Sequence, residues 1–405
     1  MTTPPAGAGP GSGATRAELP PASRTGTWLL AIAAAAAGPM TGIEIVLLSK
    51  PLGGVVGLPG AVVGYIALTA GVLGGLTVLP GVRLRFTASS RRTGALAVLG
   101  GVGILVAALF SSMPAFLCGV VVAGVAAGPL LVTARAVAGV RVCYAAETVA
   151  LLAGAVLAGA CGRQPGEALF VAGSVVIAAG LSVSVRNASF GGVAGGLRVS
   201  GTALRGGMGY AAVGFALGAT VLPALHLLLF RWEVLDADQP ARLALAMVPA
   251  VLVVAARGYR LRAVPPLLIL AAGGPVLVAT APGAWQSMIG VAVTVTAAIR
   301  CLSVLDHELR QRLPGSQQWW SAVTGLVVGV GGICGLGGAV ACGRLWGTGS
   351  ALTLAGVPVL LAALVIARTS APGGGRTQTV DRRADADDRP TAPQPSEIAV
   401  EGGAR

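Results

Sequence analysis

TWLLAIAAAAAGPMTGIEIVLLS, residues 27–49, runs for 23 residues with a single charge, Glu44. A helix needs about 20 apolar residues to cross the hydrocarbon core of a bilayer. This stretch therefore reads as a transmembrane span that holds one carboxylate, and Lys50, the only lysine of the chain, stands just after it.

The rest of the sequence repeats the pattern. Of 405 residues, 55% are hydrophobic and 11% charged, and mean hydropathy is +0.82. A soluble domain carries about 25% charged residues. The apolar blocks lack the period-two alternation of an outer-membrane barrel, so the spanning units are expected to be helices. Twelve fit: about 27–49, 58–80, 94–112, 115–134, 143–161, 167–185, 207–230, 241–256, 263–281, 284–302, 319–341 and 349–367. The expectation is an all-α polytopic membrane protein of two pseudo-symmetric six-helix bundles. Residues 1–26 form a disordered cytoplasmic tail, 27–185 the first bundle, 186–206 a central cytoplasmic loop, 207–368 the second bundle, and 369–405 a disordered cytoplasmic tail.

Orientation follows from the basic residues. With the N-terminus inside, fifteen arginines between Arg83 and Arg312 fall in inner loops. Five basic residues, Lys50, Arg163, Arg231, Arg242 and Arg344, fall outside. That is a positive-inside bias, and it predicts a multi-pass protein of the cytoplasmic membrane with both termini cytoplasmic. It also accounts for the net charge of +13 without a nucleic-acid partner. Arg135 and Arg300 are read as topology charges at inner ends, and Lys50 as an outer interfacial anchor. The tryptophans, mostly at span ends, suit an interfacial belt.

An internal repeat supports the division into six plus six. ACGR occurs at 160–163, closing the fifth span, and again at 341–344, closing the eleventh. Just beyond, GEALFVAGSVVIAAGL (166–181) matches GSALTLAGVPVLLAAL (349–364) at eight of sixteen positions. Two halves of the same orientation are what a parallel repeat about the membrane normal predicts.

Twelve spans, inner termini and a parallel repeat resemble the major facilitator superfamily, and local motifs are similar to those of its drug:proton antiporters. That branch has a first-span pattern L-D-x-T-x-x-N-x-x-L-P. Here it reads Ile43-Glu44-Ile45-Val46-Leu47-Leu48-Ser49-Lys50-Pro51-Leu52, with the acid kept and Ser49 in place of Asn. The loop pattern G-x-x-x-D-R-x-G-R-R survives as Gly81, Arg91 and Arg92, with Arg85 where the acid belongs. The span-four arginine of the family aligns near Val120 and is absent, although GVAAGP (124–129) is similar to the glycine-rich stretch that follows it. The span-five signature is reduced to Gly154, Gly159 and Gly162. The resemblance implies alternating access, proton coupling and export of a drug or natural product, with antibiotic resistance as its consequence.

Of fifteen acidic residues, this topology leaves two, Glu44 and Glu147, in span interiors. Charge at membrane depth is expensive, and such residues usually face the bundle interior or a watery cavity. Desolvation penalises the ionised form, so each is a candidate for proton coupling or the substrate pathway. The alternatives are a water-satisfied carboxylate near the outer interface for Glu44, and a snorkelling residue paired with Arg141 or another inner-loop arginine for Glu147. Helix rise puts Glu44 in the outer half and Glu147 about 9 Å from the inner surface. His226, near the outer end of the seventh span, is a candidate pathway residue or a packed polar one. Gly38 and Gly42, Gly124 and Gly128, Gly154 and Gly159, and Gly329 and Gly332 are read as sites of close helix approach. Pro39, Pro129, Pro223, Pro249 and Pro358 are expected to kink their spans.

The sequence has no G-x-x-x-x-G-K-[ST], GxSxG or HExxH, no CxxC pair and two distant histidines. Neither an enzyme, a metal site nor another cofactor is expected. Three functions remain: a monomeric, proton-coupled exporter of a small apolar or amphipathic molecule, a transporter-like membrane sensor that no longer pumps, and a proton-coupled nutrient uptake carrier.

Overall fold

The computed structural model describes residues 24–83, 89–185, 201–232, 239–255, 261–312 and 317–370. Among these the chain is helical, with no sheet. The first span arrives in pieces: α1 (Arg24–Ala35), a π-helical turn (Ala36–Met40), α2 (Thr41–Leu47) and α3 (Ser49–Val56). The following spans are α4 (Gly60–Arg83), α5 (Ser90–Leu109), α6 (Met113–Ala138), α7 (Val140–Ala160) and α8 (Pro165–Ser184). The second half comprises α9 (Gly201–Trp232), α10 (Gln239–Ala255), α11 (Val264–Thr280), α12 (Ala284–Arg312), α13 (Gln317–Trp346) and α14 (Thr348–Ser370). Eight segments are long and apolar enough to cross a membrane, and four shorter apolar helices lie within α4, α9, α10 and α11. These are the twelve expected spans, and the chain is a multi-pass membrane protein.

Boundaries follow local chemistry. Pro39 has no N–H to donate and its ring crowds the carbonyl four residues back. The helix widens there into a π turn, and the Thr41 hydroxyl donates to the Ala36 carbonyl at 2.8 Å. The helix then outruns the expected end at residue 49 and stops at Gly57, whose φ of 77° suits glycine. The α5 N-terminus is capped by Ser89, which accepts from the Arg92 amide. Arg91 and Arg92 thus lie in the first helical turn rather than in a loop, and both are exposed. Pro265 and Pro266 sit in the first turn of α11, where a missing N–H is harmless. The central-loop residues 186–200 and the tails 1–23 and 371–405 lie outside the described residues, as does Arg85.

Side chains are sorted as a bilayer dictates. Ala33 to Ala37 are buried, whereas Leu99, Leu109, Leu252, Ile269 and Leu361 face outward. Trp28, Trp285 and Trp346 are exposed near helix ends, with Arg242 stacked 4.7 Å from the Trp285 ring centre. Where apolar burial gives no drive, association rests on close packing of small residues.

The repeat predicted from ACGR is visible in that packing. A Cβ on Gly103 would stand 2.7 Å from the Gly119 carbonyl oxygen, where α5 meets α6. A Cβ on Gly274 would stand 2.6 Å from that of Gly290, where α11 meets α12. Both members of the second pair lie the same 171 positions after those of the first. Across the halves α4 packs on α13 and α7 on α10, and exchanging the halves turns one contact into the other. The same exchange relates the α6–α13 contact to the α7–α12 contact.

Most of the expected glycine contacts exist. A Cβ on Gly128 would overlap the Gly74 carbonyl, one on Gly124 that of Ala70, and one on Gly154 would crowd Ile43 and the Met40 carbonyl. Gly38 faces Leu131 and Gly329 faces Val72, each at 3.0 Å. A Cβ on Gly332 would make an ordinary contact, 3.6 Å to Gly214, but its own backbone stands against Gly218. Gly42 differs: among the described residues nothing lies within 4 Å of its would-be Cβ, so no close approach is seen there. Gly218→Leu, which drives a side chain into the Gly332 carbonyl across α9 and α13, is expected to cost at least about 1–3 kcal/mol. Gly42→Ala should change stability by less than about 0.5 kcal/mol. Thermal unfolding of the purified variants in detergent measures both.

Candidate functional site

Glu44 is fully buried, at 0% exposure. Neither of its carboxylate oxygens has a hydrogen-bond partner among the described residues. It sits on the seven-residue α2, between the π turn and the distortion at Leu48 (φ −91°, ψ 11°). Its neighbours Ile45 and Leu48 belong to the core of the first half. Ile43, on another face, joins Tyr144, Leu243 and Met247 in an apolar cluster shared by the two halves. Glu44 is thus buried rather than partly exposed at the outer interface, and a charge held there without a partner costs several kcal/mol.

Glu147 stands in a second place. The Arg135 Nε donates to its Oε1 at 3.1 Å and Nη2 to its Oε2 at 3.0 Å, a bidentate pair between α6 and α7. Arg135 also lies 3.7 Å from Asp306 on α12. The Asp306 carboxylate is satisfied from both halves: Tyr144 on α7 donates to Oδ2 at 2.7 Å and Tyr210 on α9 donates to Oδ1. The guanidinium carbon of Arg135 lies 5.1 Å from the centre of the Tyr144 ring. Tyr144 and Tyr210 are almost completely buried and Asp306 is 6% exposed. The five residues form one polar knot in an apolar interior, and it ties the first half to the second.

The two acids do not meet. Gly154 of α7 touches Met40 and Ile43, next to Glu44, and lies seven residues, about 10 Å of helix, beyond Glu147. They occupy different heights, as helix rise predicts. His226 lies on α9, and its side chain is outside the described part, as are those of Trp319 and Trp320. Gly81 lies on α4. Lys50 is exposed at the start of α3.

Two expectations are overturned. Arg135 is not a topology charge in an inner loop, because its side chain is 14% exposed and ion-paired. Asp306 is not a loop residue, because α12 continues ten residues past the expected end at 302 and buries it. Glu147 pairs with Arg135, one of the inner arginines that the second alternative allowed.

No protein-family model and no curated protein sequence matches the chain. Solved structures do. The human organic anion transporter MFSD10 (TETRAN) superposes with a TM-score of 0.63 at 17% identity, over 85% of this chain and 98% of that one. The nucleoside transporter NupG gives 0.60 at 11%, over 85% and 100%. A POT family transporter in complex with a thioalcohol-conjugated peptide gives 0.63 at 10%, over 86% and 96%. At these identities the likeness establishes the fold, which this chain shares with those transporters.

Removing one partner of a buried ion pair strands the other. Arg135→Met is expected to cost about 3–5 kcal/mol, and adding Glu147→Met should recover part of it, Asp306 still lacking its guanidinium. Chemical unfolding of single and double variants checks this; equal losses in both would show that the pair is not the governing contact.

Proposed function

We propose that this chain is a secondary active transporter that exports a small apolar or amphipathic molecule in exchange for protons. The observation that carries the reading is Glu44: a fully buried carboxyl with no hydrogen-bond partner among the described residues, on a helix broken on both sides, in a transporter fold. A carboxyl in a span can take up a proton and give it back as opening changes its surroundings. π bulges and discontinuous spans cluster at functional sites. Pro39 and Thr41 therefore supply the irregular backbone and Glu44 the titrating group. In the proposed topology the inner ends of α6, α7, α9 and α12 carry the polar knot, and both tails face the cytoplasm of a cell whose inner membrane holds the protein. The two six-helix halves, 27–185 and 207–368, rock about the knot as a monomer.

A second reading, proton-coupled uptake, draws support from two of the comparisons: one neighbour carries nucleosides and another was solved with a peptide. The same coupling group serves either direction. A sensor that no longer pumps has less support, because buried charges are expensive to keep without a task.

The test uses inside-out and right-side-out vesicles with an imposed pH gradient and a panel of lipophilic dyes, nucleosides and dipeptides. The wild type is expected to collapse the gradient on addition of a transported compound, in one orientation for export and in the other for uptake. Glu44→Gln should reduce that coupled flux at least tenfold, about 1.4 kcal/mol, while inserting and unfolding like the wild type. Undiminished coupled flux in Glu44→Gln removes Glu44 from the coupling step.

A further inference from the structure

Glu44 faces into the first half. Of its neighbours, Ile43 and Val46 join the cluster shared by the two halves, whereas Ile45 and Leu48 belong to the core of the first. On a regular helix Glu44 lies about 40° from Leu48, about 100° from Ile43 and about 160° from Val46. The α2 helix itself packs on α4, α7 and α8, all of the first half. The internal repeat identifies what the carboxyl meets there. Gly154 stands six residues before the first ACGR and Gly335 six before the second. A Cβ on Gly154 would crowd the Met40 carbonyl, and one on Gly335 the Phe215 carbonyl and the Ala219 amide. Met40 and Phe215 are therefore counterparts, and so are Glu44 and Ala219, each four residues on. Ala219 is fully buried in a cluster with Ala339 of α13 and Ala355 of α14. Their first-half counterparts are Ala158 of α7, two residues before ACGR, and Ala172 of α8, seventh in the matched stretch that begins at Gly166. Both are fully buried. Where the second half packs an alanine methyl, the first thus sets a carboxyl between α7 and α8.

Cys161 ends α7 three residues past Ala158, and its half-buried side chain packs on the first-half core. The Gln164 amide donates to its carbonyl at 2.9 Å and the Glu167 amide to the Gln164 carbonyl at 3.0 Å, which turns the chain tightly into α8. Glu167 is exposed in the first turn of that helix. Burial holds the Cys161 thiol above its ordinary pKa, and the charges of Glu167 and then Glu44 add to the effect. One thiol is therefore within electrostatic reach of two carboxyl groups, one in solvent and one buried with no hydrogen-bond partner among the described residues. The covering is thin. Ala158 is small, and a Cβ on Gly162 would find nothing described closer than 3.6 Å. We propose that Glu44 exchanges its proton with the outer solution through the α7–α8 turn, past Glu167 and Cys161, and not through the cleft between the halves. This rests on the reading of Glu44 as the coupling group and of this end of α7 as outer. The step is proton transfer alone: hydronium at the surface becomes water and the Glu44 carboxylate becomes the acid. A thiol that keeps its proton can pass one on, donating through S–H while sulfur accepts. Protonation then acts on α2, broken at both ends, whose Ile43 and Val46 bear on the second half.

Few other titratable groups lie on the elements packed around α2. The α8 helix carries Glu167 alone, and the π turn carries none. On α7 the remaining ones, Arg141, Cys143, Tyr144 and Glu147, stand toward the other end, at least about 20 Å along the helix from Cys161. The α4 helix has Tyr65, and Arg83 as its last residue. Lys50 begins α3 just past the break at Leu48, and Arg163 is exposed in the α7–α8 turn.

The test labels the purified full chain with a charged methanethiosulfonate, checks Cys161 by mass spectrometry of its peptide, and reconstitutes the chain in vesicles. Label on Cys161 is expected to lower proton-coupled flux of the compound panel about tenfold or more. Exchange of one substrate molecule for another, which moves no net proton, should be spared. The flux of Cys161→Ser should not respond to the reagent. The proposal is overturned if the thiol does not react, if labelled wild type keeps its coupled flux, if exchange falls equally, or if Cys161→Ser is inhibited like the wild type. Where a chain shows no coupled flux, infrared titration in nanodiscs decides. The Glu44 carboxyl band is the one lost in Glu44→Gln. A sulfonate and a quaternary ammonium on Cys161 should set its midpoints at least about threefold apart in proton concentration. Coincident midpoints, or a band that never titrates, overturn the proposal. The infrared measurement needs no transport, so failure of the route and failure of the transporter reading are told apart.

Discussion

Arg135 holds carboxylates from both halves of the molecule, and the chain can afford three buried charges only because they are held together. Each would cost several kcal/mol alone in a low-dielectric interior. The bidentate pair with Glu147 and the tyrosine hydroxyls on Asp306 supply the hydrogen bonds that water would otherwise make. The same contacts fix how the halves meet, because α7 reaches α12 through Tyr144 and α9 reaches α12 through Tyr210. A bilayer interior offers little other directional interaction, so the polar contacts set the register while small residues set the distance.

Much of the fold was legible in the amino-acid pattern, because a membrane reduces folding to a test of apolar length. The spans, their repeat and the sites of close approach at Gly124, Gly128 and Gly154 followed from composition and spacing. Glu44 was legible because a carboxylate in the middle of 23 apolar residues has no loop to belong to. The knot was not. Asp306 sits where hydropathy falls away, yet α12 continues as far as Arg312. Arg135 already had a sufficient explanation as a basic residue near a span end, and that explanation was the wrong one.

The tyrosines gave the faintest signal, since a tyrosine in an apolar span passes as filler. Two clues were present. The chain has only four tyrosines, and Tyr144, Glu147 and Thr148 fall at i, i+3 and i+4, on one face of α7. Nothing local could join that face to Asp306, 162 positions later than Tyr144. Gly42 marks the opposite limit: a spacing that matches a packing motif says little where no described residue comes within 4 Å of the would-be Cβ.

The single-residue link at Gly139, with φ at 83°, bears on how the protein is made. It places Arg135 and Glu147, twelve positions apart, at the same end of a tight helical hairpin. Emerging from the ribosome in quick succession, the two can neutralise each other before either enters lipid, which leaves Arg141 as the one uncompensated charge of the α6–α7 hairpin. Asp306 follows much later, and its first partners are then already in place. The order of synthesis thus assembles the charged interior from its self-sufficient part outward.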